Sequence, residues 1–145
     1  MAVKPTGYSG TPLPRKLGIK EGHTVAIVRP PAGFIRTLGE LPGGVTLRSG
    51  LAGRKALDVV VVFITKRSQL EQQLPSIRRR MTPAAGLWVA WPKKSSGVLT
   101  DVTDNVVREI ALPTGLVDNK VCAIDATWSG LRLVIRLKNR PRVGM

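Results

Sequence analysis

From residue 24 onward, apolar runs alternate with stretches whose apolar positions recur every three or four residues. Val25-Ala26-Ile27-Val28 is a short apolar run that stops at Arg29-Pro30-Pro31. Val59-Val60-Val61-Val62-Phe63-Ile64 is longer and almost wholly β-branched. A continuous run of this kind predicts a strand covered on both faces, as in a parallel sheet. Leu87-Trp88-Val89-Ala90-Trp91, closed by Pro92, is a third run, and 117–124 and 131–137 are the fourth and fifth. In the last, Leu131, Leu133, Ile135 and Leu137 alternate with Arg132, Val134, Arg136 and Lys138, the pattern of an exposed antiparallel strand.

The segments between the runs read as helices. Ser68-Gln69-Leu70-Glu71 matches a capping box, in which the Ser and Glu side chains satisfy free backbone donors. Leu70, Leu74, Ile77 and Met81 then share one face, and Pro75 is expected to kink or split the helix. Arg78-Arg79-Arg80 falls in its last turn, where cations suit the helix dipole. A turn at Thr82-Pro83-Ala84-Ala85-Gly86 separates it from the third run. Thr103 is placed to cap a second helix, with Val106, Val107 and Ile110 as its buried stripe and Pro113 and Gly115 ending it. A shorter helix is expected from Gly33 to Leu38.

Strand, helix, strand, helix, strand is the order of a doubly wound domain. Only ten residues span Arg48 to Leu57, fewer than the dozen or more a helical crossover between parallel strands needs. The strand around Val45-Thr46-Leu47 is therefore short and the first half of the fold abbreviated. The expectation is one α/β domain over 15–137: an abbreviated Rossmann-like, mostly parallel sheet with a C-terminal antiparallel hairpin. Residues 1–14, rich in Gly and Pro, read as a flexible or extended arm, and 138–145 as a basic tail.

Two resemblances appear at this point. The order from Asp58 onward resembles the second half of a class I methyltransferase domain. The stretches Gly86-Leu87-Trp88-Val89-Ala90-Trp91-Pro92-Lys93-Lys94, Val107-Arg108-Glu109, Gly115-Leu116-Val117-Asp118 and Trp128-Ser129-Gly130-Leu131-Arg132-Leu133 resemble a family of small bacterial domains to which no function is assigned. The second resemblance covers about residues 12–137 and implies no activity. The first implies a glycine-rich turn after the first strand, where backbone approaches the cofactor, and an acid after the second, which holds the ribose hydroxyls. This sequence has Arg29-Pro30-Pro31-Ala32-Gly33 and Arg48-Ser49-Gly50 at those places. Both departures count against S-adenosylmethionine, and the absence of a G-x-G-x-x-G counts against a dinucleotide. No cofactor is expected.

Composition narrows the chemistry further. One cysteine, Cys122, and one histidine, His23, exclude an intrachain disulfide and every multi-thiolate or two-histidine metal site. No apolar run approaches the ~18 residues of a membrane span. Met1-Ala2-Val3-Lys4-Pro5 does not read as a signal segment, so a cytoplasmic location is expected. The 145 residues carry 23 Lys and Arg against 9 Asp and Glu, a net charge of +14. With a pI of about 11.3, that excess favours polyanions as partners, unless it reflects composition alone.

The leading candidate site is Trp91-Pro92-Lys93-Lys94-Ser95-Ser96-Gly97, because ligands of open α/β sheets bind beyond the carboxyl ends of strands. Lys93, Lys94, Ser95 and Ser96 offer cations and hydroxyls to a phosphate or carboxylate, and Arg29 joins them if the first and third strand tips are neighbours. Lys66, Arg67, Arg78, Arg79 and Arg80 flank one helix as a basic patch; their bland alternative is a solvated helix face. Trp91 and Trp128 are candidates for stacking on a base, against the alternatives of a core Trp91 and a hairpin Trp128 that covers the sheet edge. His23 has no nucleophile near it, Cys122 reads as an inert strand residue, and Asp101 and Asp104 as helix N-terminal charges. No catalytic residue and no metal ligand set is proposed. The expected function is a non-catalytic module binding an anionic partner, nucleic acid or ribosome. The alternatives are a divergent methyltransferase-like enzyme or nucleotide or acidic-metabolite binder, and a protein-docking scaffold.

Overall fold

A computed structural model describes residues 11–137. The arm over 1–10 and the basic tail over 138–145 lie outside the described residues. Six strands form one sheet: β1 (Thr24–Val28), β2 (Thr46–Ser49), β3 (Leu57–Phe63), β4 (Met81–Pro92), β5 (Leu116–Ala123) and β6 (Trp128–Ile135). Their order is β2-β1-β3-β4-β6-β5. β1 to β4 are mutually parallel, and β6 runs antiparallel between β4 and β5, so the sheet is mostly parallel with a C-terminal antiparallel hairpin.

The continuous valine run is the hub of the sheet. Because side chains alternate across a strand, β3 feeds two cores at once. Val60 and Val62 pack with Ala26, Leu87, Val89 and Trp91 on one face. Val59, Val61 and Phe63 pack with Val25, Ile27 and Trp88 on the other. The first face is closed by α3 (Arg67–Arg80) through Leu70, Leu74 and Ile77, and by α4 (Asp104–Ala111) through Val107. The second is closed by α1 (Leu13–Lys16) and α2 (Phe34–Leu38), through Leu13, Leu17, Phe34 and Leu38. α2 and α3 lie on opposite faces because β1 connects to β2 on one side and β3 to β4 on the other. β1 and β3 thus flank a topological switch point.

Several expectations need correction. Leu13 and Pro14 belong to buried α1, so the packed domain begins before residue 15. α3 starts at Arg67 rather than after Ser68: the Gln69 Oε1 accepts from the Thr65 and Lys66 N–H groups at 2.8 and 3.2 Å and caps the helix from inside. It then runs through Pro75 unsplit. The expected turn at 82–86 is taken up into β4, where the register jumps from Leu57↔Met81 to Val59↔Gly86. β6 is not an exposed strand: it sits inside the sheet, and Leu131, Leu133, Val134 and Ile135 are all buried. The short strand around residue 46, the Thr103 cap (3.2 Å to the Val106 N–H) and the helix ending at Leu38 all form as expected.

The passage from β2 to β3 occupies only residues 50–56 and contains no helix. Its backbone is held from outside. The Arg80 Nη1 donates to the Leu51 carbonyl at 2.6 Å and Nε to the Lys55 carbonyl at 3.0 Å. An arginine at the end of α3 thus does the tethering that a crossover helix would otherwise do.

Candidate anion-binding site at the strand tips

Each parallel strand ends on positive charge. Arg48 is the third residue of β2, Arg29 follows β1, Lys66 and Arg67 lie just beyond β3, and Lys93 and Lys94 follow β4. In the order of the sheet the row reads Arg48, Arg29, Lys66, Lys93. At about 4.8 Å per strand it spans roughly 14 Å. Arg29 and Lys93 are not neighbours, contrary to the expectation from sequence. β3 lies between their strands, putting them about 10 Å apart across the sheet. Lys66, which that expectation assigned to a different cluster, occupies the gap.

The local backbone explains the tips. Arg29 adopts φ 58°, a left-handed conformation rare for a side chain of its size. The two prolines after it carry no N–H, so this turn offers few backbone donors. Lys93 is anchored by its own N–H, which donates to the Thr127 carbonyl at 2.8 Å. The Ser96 hydroxyl donates to the Lys93 carbonyl at 2.6 Å and accepts from the Val98 N–H at 3.2 Å. Ser96 therefore shapes the turn rather than facing a ligand, whereas Lys94 and Ser95 are exposed.

Other predicted members are dispersed. α3 is 14 residues long, so Lys66 and Arg67 stand about 20 Å from Arg78, Arg79 and Arg80. The five do not form one patch. The Arg78 Nε is committed to the Thr114 carbonyl at 3.2 Å, the Arg79 Nη2 to the Ser76 hydroxyl at 3.3 Å, and Arg80 to the loop over 50–56. Arg67 pairs with Glu71 and Glu109 at 3.7 and 3.6 Å. Both tryptophans pack against the cores. Trp91 is buried in the first core, and Trp128 packs edge-on against Phe63, with ring centroids 5.1 Å apart.

A cavity of about 360 Å³ lies at the β4 tip, lined by Trp91, Lys94, Thr100, Thr103 and Asn105 among others. Its hydroxyls are already engaged. Thr100 donates to the Thr65 carbonyl at 2.6 Å, and Thr103 caps α4. Beside it the Arg108 guanidinium bonds Asp118 at 3.1 Å and Asp104 at 2.9 Å, which raises its pKa above the ordinary arginine value. Burial pushes the half-buried Cys122 thiol up, with Lys16 and Lys120 only partly offsetting it, so it is a poor nucleophile near neutrality. Among the described residues no cluster of His, Cys, Asp and Glu is placed to hold a metal.

Sequence reading missed one group altogether: Arg15, Lys16, Lys20, Lys120 and Arg132 line a common cavity at the amino edge of the sheet. The signal was the hairpin register, which sets Lys120 directly opposite Arg132. That register needed the turn between β5 and β6 to be placed correctly.

No protein-family model and no curated protein matches the chain. Solved structures do. An S-adenosylmethionine-dependent methyltransferase from Aquifex aeolicus is 17% identical, with a TM-score of 0.56 over 83% of this chain and 86% of that one. A ribosomal protein L11 methylase from Lactobacillus delbrueckii subsp. bulgaricus is 10% identical, with a TM-score of 0.59 over 86% and 74%. Fibrillarin from Aeropyrum pernix, solved with S-adenosyl-L-methionine, is 13% identical, with a TM-score of 0.55 over 88% and 70%. These similarities define the class: a methyltransferase-like, Rossmann-like α/β fold. They extend to fold alone.

The residues at the strand tips do not fit S-adenosylmethionine. The turn after β1 is stiffened by Pro30 and Pro31 and begins with a left-handed arginine. The tip of β2 presents Arg48, whose Nη2 donates to the Ala52 carbonyl at 3.3 Å, where a carboxylate for ribose hydroxyls would stand. Among the described helices none is long and apolar enough to cross a membrane.

Proposed function

We propose that this chain is a non-catalytic binding module that has the frame of a methyltransferase and uses its strand-tip edge to hold a nucleic-acid backbone, RNA or the ribosome being preferred. The observation that carries this reading is the row Arg48, Arg29, Lys66, Lys93 along the carboxyl edge. A row of cations neutralises successive phosphates, and each neutralised phosphate releases counterions. The small-domain resemblance and a cytoplasmic location belong to the same reading.

The test is fluorescence anisotropy of labelled single-stranded RNA and duplex DNA at two salt concentrations. Binding should weaken steeply with salt, with a log–log slope near −0.7 per contacted phosphate for single strands. The Lys66→Glu, Lys93→Glu double variant should weaken RNA binding by roughly a hundredfold, since each of the two lost charged contacts is worth about 1.5 kcal/mol. Unchanged affinity overturns the assignment. A divergent enzyme is the second reading, favoured only by the cavity at the β4 tip. Saturable binding of S-adenosylmethionine to the wild-type chain would establish it over the first.

A further inference from the structure

The cavity at the amino edge lies on the side of the sheet away from the strand tips and has a volume of about 390 Å³. It falls within the size range of small-ligand sites. Arg15, Lys16 and Lys20 line it from α1 and the segment before β1, and Lys120 and Arg132 from the hairpin. Among the described residues five cations face one carboxylate, Asp58, a formal excess of four positive charges. Asp58 is already occupied: Oδ2 accepts from the Thr24 N–H at 2.8 Å and Oδ1 from the Thr82 hydroxyl at 3.4 Å.

Two features go beyond a crowd of surface lysines. Lys120 and Arg132 stand directly opposite one another in the β5–β6 register, so the hairpin places two cations side by side at the cavity. Arg132 is also seated by design of the neighbouring strand. A Cβ on Gly86 would stand 2.6 Å from its Nε and 2.8 Å from Nη2, so the guanidinium lies where only glycine leaves room. His23 adds a donor. Its Nδ1 accepts from the Lys20 N–H at 3.1 Å, which leaves the neutral ring's proton on Nε2. The Lys16 Nζ donates to the Ala123 carbonyl at 3.1 Å and keeps two further donors.

We infer that this cavity is a second anion site, built for a compact diphosphate group such as inorganic pyrophosphate. Four excess charges match a diphosphate better than a single phosphate. Among the described residues no Phe, Tyr or Trp lines the cavity, and the His23 ring enters it as a donor, so the site reads the phosphates and not a base. The site stands apart from the strand-tip row, and its existence does not depend on nucleic-acid binding there.

Isothermal titration of the folded protein with inorganic pyrophosphate, and separately with inorganic phosphate, tests it. Pyrophosphate should bind one per chain and at least roughly tenfold more tightly than phosphate. Lys20 and Lys120 are exposed, so the Lys20→Gln, Lys120→Gln double variant should fold and should lose roughly tenfold or more in affinity. Gly86→Ala, which displaces the Arg132 guanidinium while leaving every charge in place, should weaken binding similarly. The Lys93→Glu, Lys94→Glu control should change it less than about twofold, because screening limits charges more than about 10 Å away. No saturable heat, equal affinity for the two anions, or equal loss in the control and the Lys20, Lys120 variant overturns the inference.

Discussion

Trp88 shows what a single side chain contributes to joining the layers. It lies at the middle of β4, fully buried, and its Nε1 donates to the Leu17 carbonyl at 2.9 Å. That carbonyl belongs to the residue that ends α1, so one indole fastens the first helix to the centre of the sheet. Trp88→Phe keeps the apolar contact but leaves a buried carbonyl without a partner, at a cost of about 1–3 kcal/mol, with a further loss from the smaller ring. We expect a fall in stability of about 2–4 kcal/mol in urea denaturation. A loss below about 0.5 kcal/mol would mean that water replaces the indole donor. The apolar run that buries Trp88 is legible in the sequence. Its partner, 71 positions earlier, is not. The same asymmetry governs Trp91 and Trp128. Their sequence neighbours are lysine, serine and glycine, yet their spatial neighbours are the two cores.

At the scale of elements, α3 depends more on what it packs against than on its own sequence. Pro75 removes one N–H from the ladder, yet the helix continues, because Leu74 and Ile77 on either side are buried and hold the backbone in place. Pro75 itself is exposed, and so is Glu71, whose carbonyl is the acceptor the missing N–H leaves free to water. Pro75→Ala should therefore restore a hydrogen bond without disturbing the core and raise stability by about 1–3 kcal/mol. Thermal unfolding checks it, and a lower Tm would show that the proline ring makes a contact worth more than the bond. Hydrophobic patterning made this helix and β1, β3 and β4 legible, since their residues are buried, whereas β2 has no buried residue and was expected only as a short strand. The start of α3 was not legible because a glutamine inside it, not a serine before it, satisfies the first donors. The interior place of β6 was hidden because polar residues can alternate along a strand that is not an edge. The helix-free crossover was legible from the shortness of 50–56, but its dependence on Arg80 was not, since the two are far apart in sequence.

For the whole molecule the decisive quantity is the charge of +14, and the question is how the few carboxylates are spent. Four of the nine acids pair with just two arginines, Arg67 and Arg108. Asp58, Asp101 and Asp125 accept from backbone N–H groups at 2.8 Å. These acids fix local structure and leave two separated concentrations of positive charge, one along the strand tips and one at the amino edge. A compact state with that field repels itself, and screening relieves the repulsion. The free protein should therefore become more stable as sodium chloride rises from low to physiological concentration. A gain on the order of 1 kcal/mol would move Tm up by roughly 3–5 °C. Chloride is the appropriate salt because sulfate also strengthens apolar burial. At low salt a bound polyanion should stabilise the fold by mass action, and that gain should shrink as salt weakens the complex. Opposite salt trends for the free and bound protein would show that the charge is held in tension until a partner neutralises it. A Tm indifferent to both salt and polyanion would mean that the cations are too widely spaced to act together, and the strand-tip row would lose its reason for being.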